Sequence, residues 1–260
     1  MGGAVWVVSA PMILNLSLLP PGRMTAPRIV GGSVEGGSAL SGITLASDIT
    51  GGGFVAVDYQ DIQLSNTNRD RILFFNRLMV ALQGGVRSLV VPLLTDYIAP
   101  VADNPFSSVY SSVFGSAFAS GLVTTTFSDG APFSDGSTFT QPPVSGVCVS
   151  AGAAGDGTVT LTVVGGRPLQ GGEWFGLNHA TKSYRAYCVT DIDAQSIDDY
   201  GIVTATVGIR PTLRDVTTSG MILDWWRPRC LMRIRSGADA TLDLAQFWYA
   251  TPSLALVEAF

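Results

Sequence analysis

The chain has 260 residues, of which 47% are hydrophobic, 13% are charged and 30 are glycine. This composition excludes a disordered tail, which needs low hydrophobicity and high charge. A surface so poor in charge indicates that other subunits cover much of it. The net charge is −5, and because a protein that grips phosphate backbones needs a basic surface, tight nucleic-acid binding is also excluded.

The first 22 residues carry no charged side chain and superficially look like a signal peptide. They lack a basic start, and Pro11, Asn15 and Ser17 interrupt the apolar run, which is also too short to span a bilayer. Two short strands, at residues 4–8 and 12–18, fit the pattern better. We expect a protein made in the cytoplasm, with no membrane segment.

The next part of the chain predicts strands around a single helix. Residues 54–64 follow a glycine run and then alternate between apolar and polar, which indicates a half-buried strand. The helix is predicted over residues 67–83, with Thr67 as N-cap and glycines 84–85 at its end. Residues 87–94 predict a buried strand. The apolar stripe of the helix consists of Ile72, Phe75, Leu78, Met79 and Leu82, widened by Leu73 and Phe74.

Residues 101–145 change character and are rich in Ser, Gly, Thr and Phe. Phe127-Ser-Asp-Gly recurs as Phe133-Ser-Asp-Gly, and Asp-Gly favours a hairpin turn. The repeat predicts a looped arm or flap that the two phenylalanines hold in place. A calcium site is the alternative, but two carboxylates are too few for an ion that takes six to eight oxygens.

From residue 146 onwards the sequence predicts β structure again, with strands at 147–150, 158–164, 183–189 and 202–207. Several short strands at this spacing indicate a small barrel or sandwich. Trp174, Tyr184 and Tyr187 could stack on sugar rings if they are exposed. The alternative is that all three are core aromatics.

The C-terminal segment contains the candidate subunit-interface residues. Its arginines alternate with apolar residues, so an extended chain places them on one face. Trp225 and Trp226 are adjacent, so a strand would send one into the core and the other towards a partner, since interfaces favour tryptophan. The candidates are Trp225, Trp226, Arg227, Arg229, Arg233 and Arg235, together with Phe127 and Phe133 of the arm.

No catalytic or metal-binding constellation is evident. His179 is the only histidine; no nucleophile elbow accompanies it, and its surroundings predict a turn. The three cysteines have no zinc-site spacing and predict small buried side chains. Glu173 could serve a hydrolase only with a second carboxylate in reach. The acidic cluster lacks the glycine and closing glutamate of a calcium loop and predicts a solvated loop; it consists of Asp191, Asp193, Asp198 and Asp199. We therefore expect no enzyme activity, no cofactor and no metal.

The order of several local motifs resembles one known family. They are Arg28-Ile-Val-Gly-Gly-Ser-Val-Glu-Gly-Gly-Ser-Ala-Leu-Ser-Gly42, Leu82-Gln-Gly-Gly85 with Leu89-Val-Val-Pro-Leu93, the repeat in residues 127–136, Gly171-Gly-Glu-Trp-Phe175 with Tyr184-Arg-Ala-Tyr187, Pro211-Thr-Leu-Arg-Asp215, Arg227-Pro-Arg-Cys-Leu-Met-Arg233 and Val257-Glu-Ala-Phe260. From about residue 28 to its end, the chain resembles the distal tail (Dit-like) or neighbouring baseplate proteins of long-tailed, siphovirus-type bacteriophages and gene transfer agents.

The resemblance implies a mainly β fold: a tail-tube-like β-sandwich with one flanking helix, plus a small inserted β-barrel or β-sandwich. Residues 1–105 would form the ring domain, 106–145 the arm and 146–217 the small β domain. Residues 218–260 would return to the ring domain.

The implied function is that of a structural subunit in the tail tip of the virion, assembled in the host cytoplasm. A homo-oligomeric ring, usually a hexamer, would join the tail tube protein to the baseplate hub, with the tape-measure protein or tail fibres as further partners. DNA would pass through the lumen without specific binding. The alternatives are a carbohydrate- or receptor-fibre-binding module of the tail tip, another minor tail or tube protein, and a secreted hydrolase.

Overall fold

The computed structural model describes residues 11–31, 33–35, 46–48, 51–65, 67–82, 86–95, 98–100, 123–125, 139–141, 144–164, 167–199, 202–235 and 249–260. As predicted, the fold is mainly β, with one α-helix and a small closed barrel among these residues. The chain divides into two compact units, each built from separate stretches of sequence. Unit 1 comprises Met1–Thr25, Val57–Pro92 and Leu231–Phe260, and unit 2 comprises Ala26–Ala56 and Leu93–Cys230.

The described part of the chain forms a succession of strands interrupted by a single helix. In chain order the elements are β1 (Met12–Ile13), β2 (Arg23–Met24), β3 (Arg28–Val30), β4 (Ser33–Glu35), β5 (Ala46–Asp48), β6 (Phe54–Gln60), β7 (Leu64–Ser65), α1 (Arg69–Leu82), β8 (Leu89–Pro92), β9 (Val123–Thr125), β10 (Phe139–Gln141), β11 (Ser145–Cys148), β12 (Thr158–Val164), β13 (Trp174–His179), β14 (Ser183–Ile197), β15 (Val203–Arg210), β16 (Ile222–Asp224), β17 (Arg229–Ile234), β18 (Tyr249–Ala250) and β19 (Leu254–Glu258).

Unit 1 is organised around a sheet that joins the two ends of the chain. Its strand order is β1-β8-β17-β19-β6-β2. The C-terminal strands β17 and β19 therefore lie between β8 and β6. Strand β6 carries a buried run from Val55 to Val57, and the hydroxyl of Tyr59 donates a 2.7 Å hydrogen bond to the carbonyl of Pro92.

The helix of unit 1 occupies most of the predicted range. It spans Arg69–Leu82 rather than 67–83, and Asn68, not Thr67, directly precedes it. Its buried residues are Phe75, Leu78 and Leu82, as the apolar spacing predicts. Leu73 was expected to widen that buried stripe, but it is 51% exposed, because the helical period places it on the side opposite Phe75, Leu78 and Leu82.

Unit 2 contains the closed barrel. Of the two alternatives predicted for this region, a barrel or a sandwich, the structure has the barrel. Its strand order is β11-β12-β15-β14-β13-β16. Strand β12 has the predicted bounds, and β16, which lies after residue 217, completes the barrel by pairing with both β11 and β13. Alternate residues of these strands point inward, as in other small barrels, and fill the barrel with aliphatic side chains and aromatic rings.

The turn predicted around His179 begins only after this residue in the structure. Strand β13 continues through His179, and β14 starts at Ser183, whose φ of 58° allows the chain to reverse. Strand β14 then runs for 15 residues, so Asp191 and Asp193 lie on a strand and not in the predicted solvated loop.

A glycine turn is anchored to the segment that follows the barrel strand β15. Residues 51–53 have φ between 62° and 88°, a region that glycine adopts without strain. The carbonyl of Gly51 accepts hydrogen bonds from both the backbone N–H and the hydroxyl of Thr212, each at 2.9 Å. The guanidinium of Arg214 donates to the carbonyl of Gly53 and lies 5.8 Å from the ring centroid of Phe54.

Several predictions fall outside the described residues. These are the strand at 4–8, the helix-ending glycines, and both members of the Phe-Ser-Asp-Gly repeat with Phe127 and Phe133. Within the predicted arm, the structure describes β9 and β10, which pair antiparallel as a separate two-stranded sheet.

Candidate functional site

The outer surface of the barrel contains a groove of about 330 Å³ between β14 and β15. We call it the acidic groove. It lies where the pairing of the two strands is irregular, with register shifts between Val189 and Ile192 and between Ile192 and Ala194. The residues that line it are Gly157, Thr158, Thr190, Asp191, Asp193, Gly208, Ile209 and Arg210.

The absence of a side chain at residue 208 makes room for this groove. A Cβ added to Gly208 would lie 3.0 Å from the hydroxyl of Thr190 and 3.5 Å from a carboxylate oxygen of Asp191. The bulged strand therefore lies close over the glycine. A lone glycine inside a strand pattern is a sequence signal for such an approach, but the strand predicted here ends at residue 207.

The groove is rich in hydrogen-bond acceptors. Asp191 and Asp193 are exposed, and no residue in the described part of the chain forms an ion pair with either carboxylate. Thr158, Thr190 and Arg210 complete the polar lining. Such an arrangement suits a cationic side chain, which needs several acceptors at once. The described residues contain no group of three or more His, Cys, Asp or Glu that could hold a metal ion.

Strands β11, β12 and β16 form a second outer surface of the barrel, which carries valine, isoleucine and threonine side chains. We call this surface the barrel face and define it by Val147, Val149, Thr160, Thr162 and Ile222. Val147 pairs with Thr162 on one side and Ile222 on the other. The side chain of Ile222 is 75% exposed, and those of Val147 and Val149 are more than one-third exposed. Strand β12 contributes to both surfaces, because Thr158 lines the groove and Thr160 lies two residues further along the same strand, but β14 and β11 are three strands apart in the barrel.

The single histidine is part of a buried network inside unit 2. Its Nε2 lies 2.7 Å from the hydroxyl oxygen of Tyr187, which also accepts a hydrogen bond from the backbone N–H of Arg214. Burial lowers the pKa of His179, and the charge of Arg185 adds to this, although the backbone of Val216 and the charge of Asp215 oppose it. A neutral imidazole held in this way is a core residue, so it stabilises unit 2.

Glu173 is also buried and lies just before β13. One of its oxygens is 2.7 Å from the guanidinium of Arg167, and the other accepts a 3.0 Å hydrogen bond from the backbone N–H of Gln170. Burial raises the pKa of Glu173 to about 7, against the opposing effects of Gln170 and Arg167. The carboxylate therefore holds Arg167 and Gln170 against the start of β13, and no other acid is among the described groups that shift its pKa.

The structure corrects the expectation that one of the two adjacent tryptophans faces a partner. Both indoles are buried in the barrel core, with 0% exposure for Trp225 and 2% for Trp226. They follow the last residue of β16, where the carboxylate of Asp224 accepts hydrogen bonds from the backbone N–H groups of Trp226 and Arg227. This Asx turn ends the strand at Asp224, so the alternation of side chains does not continue into the two tryptophans. Their indole rings therefore do not point to opposite faces.

The alternation predicted for the arginine strand is confirmed. Arg229 and Arg233 are exposed on β17, whereas Cys230, Met232 and Ile234 are buried. The arginines have different surroundings: Arg235 lies 3.6 Å from a carboxylate oxygen of Asp58 within unit 1, and Arg229 lies 5.5 Å from the ring centroid of Tyr184. Arg227 is half-buried.

The three aromatic residues considered for stacking on sugar rings are distributed unevenly. Trp174 and Tyr187 are buried, as the core alternative predicts, and only Tyr184 is half-buried. The face of Tyr184 that Arg229 covers is not open to a ligand. The three residues therefore do not form a stacking platform.

The three cysteines are free thiols, and the prediction that they are small buried side chains holds for two of them. Cys148 and Cys230 are buried and Cys188 is half-buried. Burial raises the pKa of the Cys148 and Cys188 thiols to about 11, which keeps them protonated and unreactive.

The architecture defines a mainly β protein with a six-stranded closed barrel and a separate sheet. No protein-family model matches the chain, and no curated protein is identified as a relative. No helix among the described residues is long and apolar enough to cross a membrane.

Proposed function

We propose that this protein is a structural, non-enzymatic subunit of the tail tip of a long-tailed bacteriophage. In this proposal its copies form a ring, six-fold by the family resemblance, that joins the tail tube to the baseplate hub around a lumen for DNA. The tape-measure protein or tail fibres are further partners. The protein then belongs to the virion and is assembled in the host cytoplasm.

The observation that carries the proposal is the presence of two different exposed apolar surfaces on one chain. A closed ring needs heterologous contacts, in which two different patches of each subunit meet. One candidate patch is the barrel face, where Ile222 is 75% exposed. The other is the outward side of α1, where Leu73 is 51% and Val80 is 77% exposed. Solvent-exposed apolar patches on different elements are a common mark of interaction sites.

The chain order of the sheet also supports the proposal. The strands β17 and β19 lie between β8 and β6, so the N-terminal and C-terminal parts of the chain build one sheet and the barrel strands come from the sequence between them. This is the order that the resemblance implies, with a small β domain inserted into a ring domain. The net charge of −5 suits a lumen through which DNA passes without being bound.

The carbohydrate-binding alternative has less support. It depended on exposed Trp174, Tyr184 and Tyr187, two of which are buried. A hydrolase has even less support, because the described groups that shift the pKa of Glu173 are Gln170 and Arg167, and no second acid is among them.

The test is the mass of the native protein, measured by light scattering over a range of concentrations, followed by negative-stain electron microscopy. We expect a closed oligomer of defined size with a central opening. A monomer at every concentration would overturn the proposal, and a glycan-binding screen would then examine the alternative module.

A further inference from the structure

One end of the barrel is closed by polar side chains around the single histidine. His179 is the last residue of β13 and pairs with Ser183, the first residue of β14. Arg185 and Tyr187 follow on the same inward side of β14, and the side chains of His179, Arg185 and Tyr187 are each at most 2% exposed. Residues 211–217 follow β15 and form hydrogen bonds with the turn between β13 and β14; we call them the closing segment. Buried polar groups of this kind are stable only while their hydrogen bonds are kept.

The hydroxyl of Tyr187 joins the histidine to the closing segment. It accepts a 3.1 Å hydrogen bond from the backbone N–H of Arg214, and its oxygen lies 2.7 Å from Nε2 of His179. Because the hydroxyl already accepts from Arg214, we assign its own proton to the bond with Nε2 of the neutral imidazole. A protonated imidazole donates from both nitrogens. The hydroxyl can then no longer donate to Nε2, so it has to turn or move.

The surroundings of the ring also oppose its protonation. The buried guanidinium of Arg185, whose Nε donates a 2.9 Å hydrogen bond to the carbonyl of Lys182, repels an imidazolium. Burial, together with this charge, lowers the pKa of His179 below its ordinary value of 6.5, although the backbone of Val216 and the charge of Asp215 act in the opposite direction. The closed barrel end therefore favours the neutral ring.

Other contacts of the closing segment are insensitive to mild acid. The carboxylate of Asp215 accepts hydrogen bonds from the hydroxyl and the backbone N–H of Thr181. The hydroxyl bond, helped by the backbone of Val216, lowers the pKa of Asp215 to about 2, so this carboxylate stays ionised. The guanidinium of Arg214 donates to the carbonyl of Gly53, which does not titrate. Mild acid therefore acts on this end of the barrel through the histidine.

We infer that His179 is an acid-sensitive latch: when its imidazole takes up a proton, the backbone of Arg214 separates from Tyr187 and the closing segment loosens. Water then reaches this end of the barrel while the strand pairing elsewhere remains. The change is reversible, since the ring loses the proton again when the pH rises. The latch is built into the fold of a single copy, so it does not depend on the proposed function.

Amide hydrogen exchange, expressed as protection relative to the unfolded chain, tests the latch. An opened histidine takes up a proton with the ordinary pKa of 6.5, whereas the closed one resists it. The protection of the Arg214 N–H is therefore expected to fall about tenfold or more between pH 6.5 and pH 5. The N–H of Leu213, which donates to the carbonyl of Asp156, should lose protection with it. The N–H of Ile209, bonded to the carbonyl of Gly157, is the internal control and should keep its protection.

Neutral variants identify the group responsible. His179→Gln retains a hydrogen-bonding side chain but cannot titrate, so the pH dependence at Arg214 is expected to disappear. Tyr184→Phe, a change on the neighbouring strand outside the network, is the matched control and should retain it. Circular dichroism first establishes that each variant is folded; if His179→Gln is not, His179→Asn replaces it with the same expectation.

Three results would each overturn the inference. The first is unchanged protection of the wild-type Arg214 N–H between pH 6.5 and pH 5. The second is a parallel loss at Ile209, which would indicate general unfolding in acid. The third is a pH dependence at Arg214 that persists in the neutral variant, because another group would then be responsible.

Discussion

Gly146 lies directly against the indole of Trp225 in the barrel core. A Cβ on residue 146 would be 2.9 Å from the indole Nε1 and 2.2 Å from the carbonyl oxygen of Thr162. Both neighbours are held in place, because Thr162 is part of β12 and Trp225 is fully buried. The glycine therefore permits the close packing of β11 against the tryptophan.

The first prediction is that Gly146→Ala destabilises the protein by about 2 kcal/mol or more, since overpacking a rigid site forces the backbone to shift. Denaturant-induced unfolding measures the change. Gly157→Ala is the matched control, because a Cβ there has nothing within 4 Å, and its effect should stay within about 1 kcal/mol. Equal effects of the two substitutions would contradict the packing argument.

The second prediction concerns the hydroxyl of Tyr187. Tyr187→Phe removes the partner of His179 Nε2 and of the Arg214 N–H, both of which lose a hydrogen bond inside unit 2. The free energy of unfolding is expected to fall by about 1–3 kcal/mol, the usual cost of leaving a buried polar group unsatisfied. Tyr184→Phe, on the same strand with a half-buried ring, should change stability little. An unchanged free energy of unfolding in Tyr187→Phe would mean that the hydrogen-bond network contributes nothing to the stability of the fold.

The third prediction is a pH dependence that arises from Glu173. Its pKa is raised from 4.5 to about 7 in the folded protein, so between these pH values the folded state binds more protons than the unfolded state. The stability that Glu173 contributes is therefore fully present below about pH 4.5 and is lost as the pH rises through 7. The loss is on the order of 3 kcal/mol.

The variant Glu173→Gln isolates this contribution. Because glutamine does not titrate, the difference in unfolding free energy between variant and wild type should shift in favour of the variant from pH 5 to pH 8. The lowered pKa of His179 acts in the opposite direction, since its contribution is lost as the pH falls through 6.5. For this reason the comparison between the two proteins, rather than the wild-type curve alone, is decisive. A constant difference across the pH range would show that Glu173 stays ionised.

The fourth prediction separates the two sides of helix α1. Leu78 is completely buried, so Leu78→Ala is expected to cost about 2–5 kcal/mol of stability. Val80 is 77% exposed, and Val80→Ala should leave the stability of a single copy nearly unchanged, since alanine also has the higher helix propensity. Thermal unfolding at a concentration below that of assembly checks both. A large loss with Val80→Ala alone would place Val80 in the core of the monomer.

The sequence by itself determined those elements that depend only on the spacing of neighbouring residues. The alternation in β12, the spacing of Phe75, Leu78 and Leu82 in α1, and the arginine alternation in β17 all reappear in the structure, because each depends on which side of one element faces the core. The same reasoning identified the β-rich fold class and the region of the small barrel.

Tertiary structure decided the features in which distant segments meet. The acidic groove needs Gly208 beneath a bulge of β14, and the barrel closes only when β16 pairs with β11 and β13. The burial of both tryptophans depends on the turn at Asp224, which overrides the alternation expected from their adjacency. The sequence of one strand reveals the spacing of its inward-facing residues. It does not reveal the register between strands or the turn that ends a strand, and these two features position the groove and the side chains of the core.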